Sequence, residues 1–175
     1  MNIQTGGASV VITPPLGTQI QGAGIPDQPA KIIRDELEAN AVYFSSDDQA
    51  VLLISCDIMG LLPKFTIPAR EAIGKAIGLA ESSVIISATH SHSAPSVAKT
   101  DLNKPIEEGF LQTLHDQLID VAIKAKQSAV PSKIGWGLGQ AQIGYNRRCC
   151  WSDGTHSMYN PTGRTDFTGF EGPED

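Results

Sequence analysis

The sequence predicts an α/β fold: a mixed β-sheet with flanking helices, containing a βαβ unit, in an incomplete domain. Three observations carry this. Two buried-strand runs, at residues 50–56 and 84–88, bracket a helical period at 64–77. A short polar link, 45–49, ties the first of those runs to an earlier strand-like run at 37–44. A second amphipathic helical stripe begins near Pro105. With 175 residues, the chain has room for one domain or a piece of a larger one.

Taken in order, residues 8–13 form a β-branched run stopped by Pro14-Pro15, a first strand. Residues 16–28 are rich in glycine and polar side chains and read as an irregular loop. The short Ser45-Ser46-Asp47-Asp48-Gln49 link favours an antiparallel hairpin between 37–44 and 50–56. In 64–77, Phe65, Ala69, Ala72, Ile73, Ala76 and Ile77 recur at helical spacing, with Pro63 and Pro68 near the start and Gly78 placed to stop the helix. Strands 50–56 and 84–88, joined by that helix, should be parallel. The second helix carries Phe110, Leu111, Leu114, Leu118, Val121, Ala122 and Ala125 on one stripe. Residues 133–143 then alternate Ile134, Trp136 and Leu138 with Gly135, Gly137 and Gly139, the pattern of a strand with one bare face. From Cys149 to Asp175 no period emerges, and the Gly172-Pro173-Glu174-Asp175 ending reads as a loop interrupted in mid-course.

Composition removes whole classes of function. Hydrophobic residues at 41% and charged residues at 18% give an ordinary globular chain rather than a disordered one. A net charge of −6 with no basic patch excludes a nucleic-acid partner. No apolar run approaches the ~20 residues that span a bilayer, so no transmembrane segment is expected. No basic or apolar leader opens the chain, so no signal peptide is expected and the cytoplasm is favoured over secretion. Cys56, Cys149 and Cys150 make no disulfide framework and no CxxC zinc motif. The GxGxG run lies in a strand with no helix after it, and GxSxG is absent, which argues against dinucleotide binding and a serine triad.

The chemistry concentrates in Ala88-Thr89-His90-Ser91-His92-Ser93-Ala94-Pro95, just beyond the carboxyl end of a buried strand, where open α/β sheets place their sites. In extended backbone, positions two apart face one side, so His90 and His92 can share a cavity. The pair reads either as a metal or acid–base site or as a satisfied surface pair. Asp57 ends the partner strand and could orient an imidazole or ligate a metal itself. His115, on a helix flank, and His156, in the polar tail, read more readily as surface residues. Arg147, in Gly144-Tyr145-Asn146-Arg147-Arg148, could clamp a carboxylate or stabilise an oxyanion, or simply end a strand as a solvated charge.

Four segments occur in this order: Gly7-Ala8-Ser9-Val10-Val11-Ile12-Thr13-Pro14-Pro15, Ser55-Cys56-Asp57, Ala88-Thr89-His90-Ser91-His92-Ser93-Ala94-Pro95 and Tyr145-Asn146-Arg147-Arg148. Together they resemble the N-terminal part of the neutral/alkaline non-lysosomal ceramidase family, from about residue 7 onward. The resemblance implies that residues 1–175 are the N-terminal portion of a ceramidase-like catalytic domain. It implies a zinc-dependent amidase that hydrolyses the N-acyl bond of ceramide or a related lipid amide, with zinc as cofactor and the lipid amide as partner. It makes His90 a zinc ligand, places His92 and Arg147 in the catalytic pocket and gives Asp57 a supporting role behind the ligands. The family's other zinc ligands, a second histidine, a glutamate and a tyrosine, lie further along, so the 175-residue chain alone is expected to be inactive. Where the ceramidases carry Ser-Gly-Pro, this chain has Ser93-Ala94-Pro95, which makes it a divergent member. A hydrolase of a non-sphingolipid ester or amide, and a non-catalytic ligand- or partner-binding module, are the alternatives.

Overall fold

The computed structural model describes residues 2–21, 29–95, 97, 108–144, 146–158 and 164–172. The expectations for residues 22–28, the helix start at Pro105, Tyr145 and the last three residues lie outside them. The chain divides into two units, Met1–Lys133 and Ile134–Asp175, each described by itself.

In the first unit the chain order is β1 (Ile3–Val11), β2 (Ile20–Gln21), β3 (Glu38–Ser46), β4 (Gln49–Cys56), α1 (Pro63–Ile77), β5 (Val84–Ala88), β6 (Ala94–Pro95), α2 (Glu108–Gln127) and β7 (Val130–Pro131). Five strands form one mixed sheet in the order β5-β4-β3-β1-β7, while β2 and β6 pair separately. The expected hairpin is β3–β4, antiparallel, with Ser46 opposite Gln49. Only Asp47 and Asp48 turn it, and Asp47 takes φ +50, a left-handed conformation that aspartate tolerates better than most residues. The expected βαβ unit is β4–α1–β5, with the strands parallel and in register from Leu52↔Val84 to Cys56↔Ala88.

Strand alternation puts Ala39, Ala41, Tyr43, Leu52, Ile54, Cys56 and Val84 into the core. Their neighbours Val42, Leu53 and Ile85 lie on the opposite, exposed face. The α2 stripe closes the core: Leu114, Leu118, Val121, Ala122 and Ala125 are completely buried. Burying each such leucine is worth about 1.5–3 kcal/mol. Helix α2 packs on β1 and β3, and α1 packs on α2 and β5. Gly6 makes the first of these contacts possible. A Cβ there would sit 2.1 Å from the Ala125 carbonyl oxygen, so β1 carries glycine where the helix backbone comes closest. Helix α1 stops as predicted at Gly78, in the left-handed region at φ +69, whose N–H bonds the Gly74 carbonyl. Lys126, in the last turn of α2, donates to the Ile77 carbonyl at 2.7 Å, placing a cation on the negative end of α1.

Two elements differ from expectation. The first strand starts at Ile3, not Ala8, because Gly6 and Gly7 continue the ladder with Tyr43 and Val42 instead of breaking it. The strand expected over 133–143 is not formed; among the described residues between Pro131 and Cys149 there is no strand. Strand β7 pairs Pro131 with Gln4, and the Ser132 N–H reaches the Ile3 carbonyl at 2.9 Å. In the segment after it Trp136 and Leu138 stand 86% and 95% exposed, so the alternating pattern buries neither of them.

The second unit contains β8 (Cys149–Trp151), β9 (His156–Ser157) and β10 (Phe167–Phe170), an antiparallel sheet in the order β10-β8-β9. Strands of three, two and four residues are too short to show a period, which is why the sequence reads as irregular there. Trp151 is the anchor. It is buried, its indole N–H donates to the Ser157 hydroxyl at 2.9 Å, and Arg164 lies 4.4 Å over its ring. Arg164 also bonds Asp153, Asp166 and Thr155. The three cysteines are free thiols, as expected. No helix among the described residues is long and apolar enough to cross a membrane.

Candidate functional site

The parallel pair β4 and β5 ends at Cys56 and Ala88, so Asp57 and Thr89 leave the sheet side by side. The Asp57 N–H donates to the Glu38 carbonyl, and the Thr89 N–H to the Cys56 carbonyl, both at 2.9 Å. The Asp57 carboxylate joins three elements. One oxygen accepts the Glu38 N–H at the start of β3, and the other accepts the Thr89 hydroxyl, each at 3.1 Å. Cys56, completely buried, has its thiol pushed up to about 12, first by burial and then by the adjacent Asp57 charge. That thiol is an inert core group, not a nucleophile.

After Thr89 the chain turns sharply. His90 has φ +66, the left-handed region, which costs a non-glycine residue about 1–2 kcal/mol. The extended geometry expected for His90 to His92 is therefore not what brings them together. The left-handed residue is, and the two rings meet edge to face with centroids 4.9 Å apart. His90 is exposed and His92 half-buried. His90 Nδ1 lies 2.7 Å from the Met59 carbonyl oxygen. A carbonyl only accepts, so Nδ1 is the donor, and in the neutral ring Nε2 is then the nitrogen with the lone pair. The far end of the loop is held where β6 pairs with β2, Pro95 opposite Ile20 and Ala94 opposite Gln21. Ser91, Ser93 and Pro95 then line a cavity of about 540 Å³ whose other walls include Ile20, Ile32, Ile33 and Leu37.

A crystal structure of neutral ceramidase from Pseudomonas aeruginosa superposes with a TM-score of 0.66 and 16% identity, over 75% of this chain and 22% of that one. A second structure, a ceramidase complexed with C2, gives 0.64 and 15% over the same shares. The fold is ceramidase-like. This chain spans about a fifth of the length of those ceramidases. No family model and no curated protein sequence matches it.

On this ceramidase-like fold the predicted site residues fall into two groups. His90, His92 and Asp57 come together at the carboxyl ends of β4 and β5. Asp57 is joined to the loop through Thr89, and the ring nitrogen it was expected to orient is bonded by Met59 instead. Arg147 belongs to the second unit, where its side chain is exposed and its carbonyl faces the Cys149 thiol at 3.7 Å. Its neighbour Arg148 is taken up by Glu171, at 2.7 Å. His115 sits on α2 beside Asp116, edge-on to Phe65 of α1, and His156 lies on β9 opposite Cys150. Among the described residues no group of three or more His, Cys, Asp or Glu side chains is placed to hold a metal. The donor chemistry of His90 fits one ligand of a zinc site and no more. Sequence reasoning missed Thr89 and Met59. The first was within reach, since aligned strand ends put Thr89 opposite Asp57. The second contributes a backbone carbonyl, which carries no side-chain signal.

Proposed function

We propose that this chain carries part of the active site of a zinc-dependent amidase that hydrolyses the N-acyl bond of ceramide or a related lipid amide. The observation that supports this most is the His90 imidazole: exposed, fixed as the Nδ1–H tautomer by the Met59 carbonyl, and standing at the carboxyl end of parallel strands. The ceramidase-like fold agrees with it, and the activity belongs to the whole protein, of which this chain covers a part comparable to 22% of the ceramidases it resembles.

His90 is the residue that would hold zinc, through Nε2. When bound, zinc supplies Lewis acidity towards an amide carbonyl and lowers the pKa of a coordinated water to roughly 7. His92, in edge contact with His90, would hydrogen-bond the substrate carbonyl as negative charge develops on it. Arg147, in the second unit, keeps only the pocket role that the resemblance implies for the whole protein. The cavity beside Ser91 and Ser93 offers both aliphatic walls, from Ile20, Ile32, Ile33 and Leu37, and charged ones, from Lys31, Arg34, Asp35 and Glu36, the mixture an amphipathic lipid amide would meet.

A hydrolase of a different ester or amide is favoured by one feature. Ala94 is completely buried where the resembling motif carries glycine, so the loop wall is built differently. A panel of N-acylsphingosines, N-acyl amines without a sphingoid base, and simple acyl esters separates the readings. It should be run on the longest reading frame containing this chain, with and without a chelator. Lipid-amide turnover abolished by chelation and restored by zinc is expected. Turnover of esters alone would point to the other hydrolase, and no turnover of any substrate would support a non-catalytic binding module.

A further inference from the structure

We infer that Thr89 and Asp57 form a positioning pair for His90: the Asp57 carboxylate, acting through the Thr89 hydroxyl, fixes which ring nitrogen of His90 carries the proton. The consequence for chemistry rests on reading His90 as a metal ligand; the positioning itself does not.

The geometry forms a two-point clamp. Residues 57–59 grip the histidine loop at the Thr89 side chain, through Asp57 at 3.1 Å, and at the His90 ring, through the Met59 carbonyl at 2.7 Å. The first grip is anchored further back, since the same carboxylate accepts the Glu38 N–H. Between the two points the chain adopts the left-handed conformation of His90, which persists only where neighbouring contacts impose it. Thr89 suits the task because its β-branch narrows the rotamers that can carry the hydroxyl to Asp57. Once that hydrogen bond is lost, the left-handed turn is free to relax and the imidazole leaves Met59. The proton then follows the preference of free imidazole for Nε2, the nitrogen a metal needs unprotonated. Asp57 thus acts on His90 without touching the ring.

The test needs neither metal nor substrate. Long-range proton–nitrogen NMR of the metal-free 175-residue chain, at a fixed pH where the imidazoles are neutral, reads the tautomer of each histidine, with His90 identified by its loss in His90→Gln. Wild type and Thr89→Ser should show His90 as Nδ1–H. Thr89→Val and Asp57→Ala should lower the ratio of Nδ1–H to Nε2–H about fivefold, the worth of one hydrogen bond. The His115 signal, set by Asp116 on α2, should stay constant and report an intact fold. Should Asp57→Ala not fold, Thr89→Val decides, because it leaves the Glu38 bond in place. A wild-type His90 ratio in Thr89→Val, or failure of Thr89→Ser to keep it, overturns the inference. A tautomer that moves as expected, with no amidase activity in the longest reading frame, would defeat the hydrolase reading and leave the clamp standing; activity there with an unmoved tautomer would defeat the clamp alone.

Discussion

The two units of this chain are held together by different physics. In Met1–Lys133 the stabilising groups are apolar and buried, from Leu52 and Ile54 on the sheet to Leu114 and Leu118 on α2. In Ile134–Asp175 a single cation organises the structure: Arg164 covers Trp151 and bonds Asp153, Asp166 and Thr155. His90 grows from the first kind of framework and Arg147 from the second. A residue at the end of two core strands inherits their rigidity, and its strained backbone can be maintained. A residue in this short sheet inherits what local ion pairs and a small aromatic cluster, Trp151, Phe167 and Phe170, provide among the described residues.

Truncating one residue type in both units should break the comparison most sharply. Leu118→Ala removes a completely buried side chain and should destabilise the first unit by about 2–5 kcal/mol. Leu138→Ala, at a position 95% exposed, should change stability by less than about 0.5 kcal/mol. Denaturant midpoints followed by helix circular dichroism check both, and equal losses would mean that residues 134–144 bury their alternating face after all.

A smaller and opposite effect should appear with pH. The Arg164 hydrogen bond holds the Asp166 carboxyl down at about 2, below its ordinary 3.8, and the Thr155 and Arg164 bonds lower Asp153 as well. Both contribute stability that is complete above the ordinary carboxylate range and lost in acid, for Asp166 as pH falls towards 2. Cys56 has the reverse sign. Its pKa rises from an ordinary 9.0 to about 12, so its contribution is complete below pH 9 and lost as pH climbs towards 12. Acid should therefore loosen the second unit first and alkali the first. In a Trp136→Phe background, Trp151 fluorescence should change between about pH 4 and pH 2 while the helix signal holds. Arg164→Ala should already show the altered fluorescence at neutral pH. Helix loss ahead of the Trp151 change in acid would contradict this division.

How much was legible in the sequence follows the same divide. The hairpin, the βαβ unit and the α2 stripe were readable because Ala39, Leu52, Ile73 and Leu118 recur at the period of their element and are all buried. The glycine-rich segments misled in both directions. Gly6 and Gly7 fell outside the strand expected from Ala8 but lie within β1, where α2 approaches closest; Gly135, Gly137 and Gly139 read as the bare face of a strand, whereas Trp136 and Leu138 between them are exposed and no strand forms. Side-chain period reports what a segment could bury, whereas ladder formation depends on a neighbour the local sequence does not name. For the site, the structure brings the His90 and His92 rings into contact and joins Asp57 to their loop through Thr89. The left-handed turn and the Met59 carbonyl were not legible, since backbone groups leave no signature, whereas the Thr89 hydroxyl was within reach from the aligned strand ends.

The account depends most on His90 serving as a metal-binding imidazole, and one comparison tests that directly: hydrolysis of an N-acylsphingosine by wild-type protein, His90→Ala and His115→Ala, all in the longest reading frame and all with matched melting curves. The account predicts that His90→Ala abolishes turnover while His115→Ala leaves it at the wild-type rate. Undiminished turnover in His90→Ala, with folding intact, would contradict it.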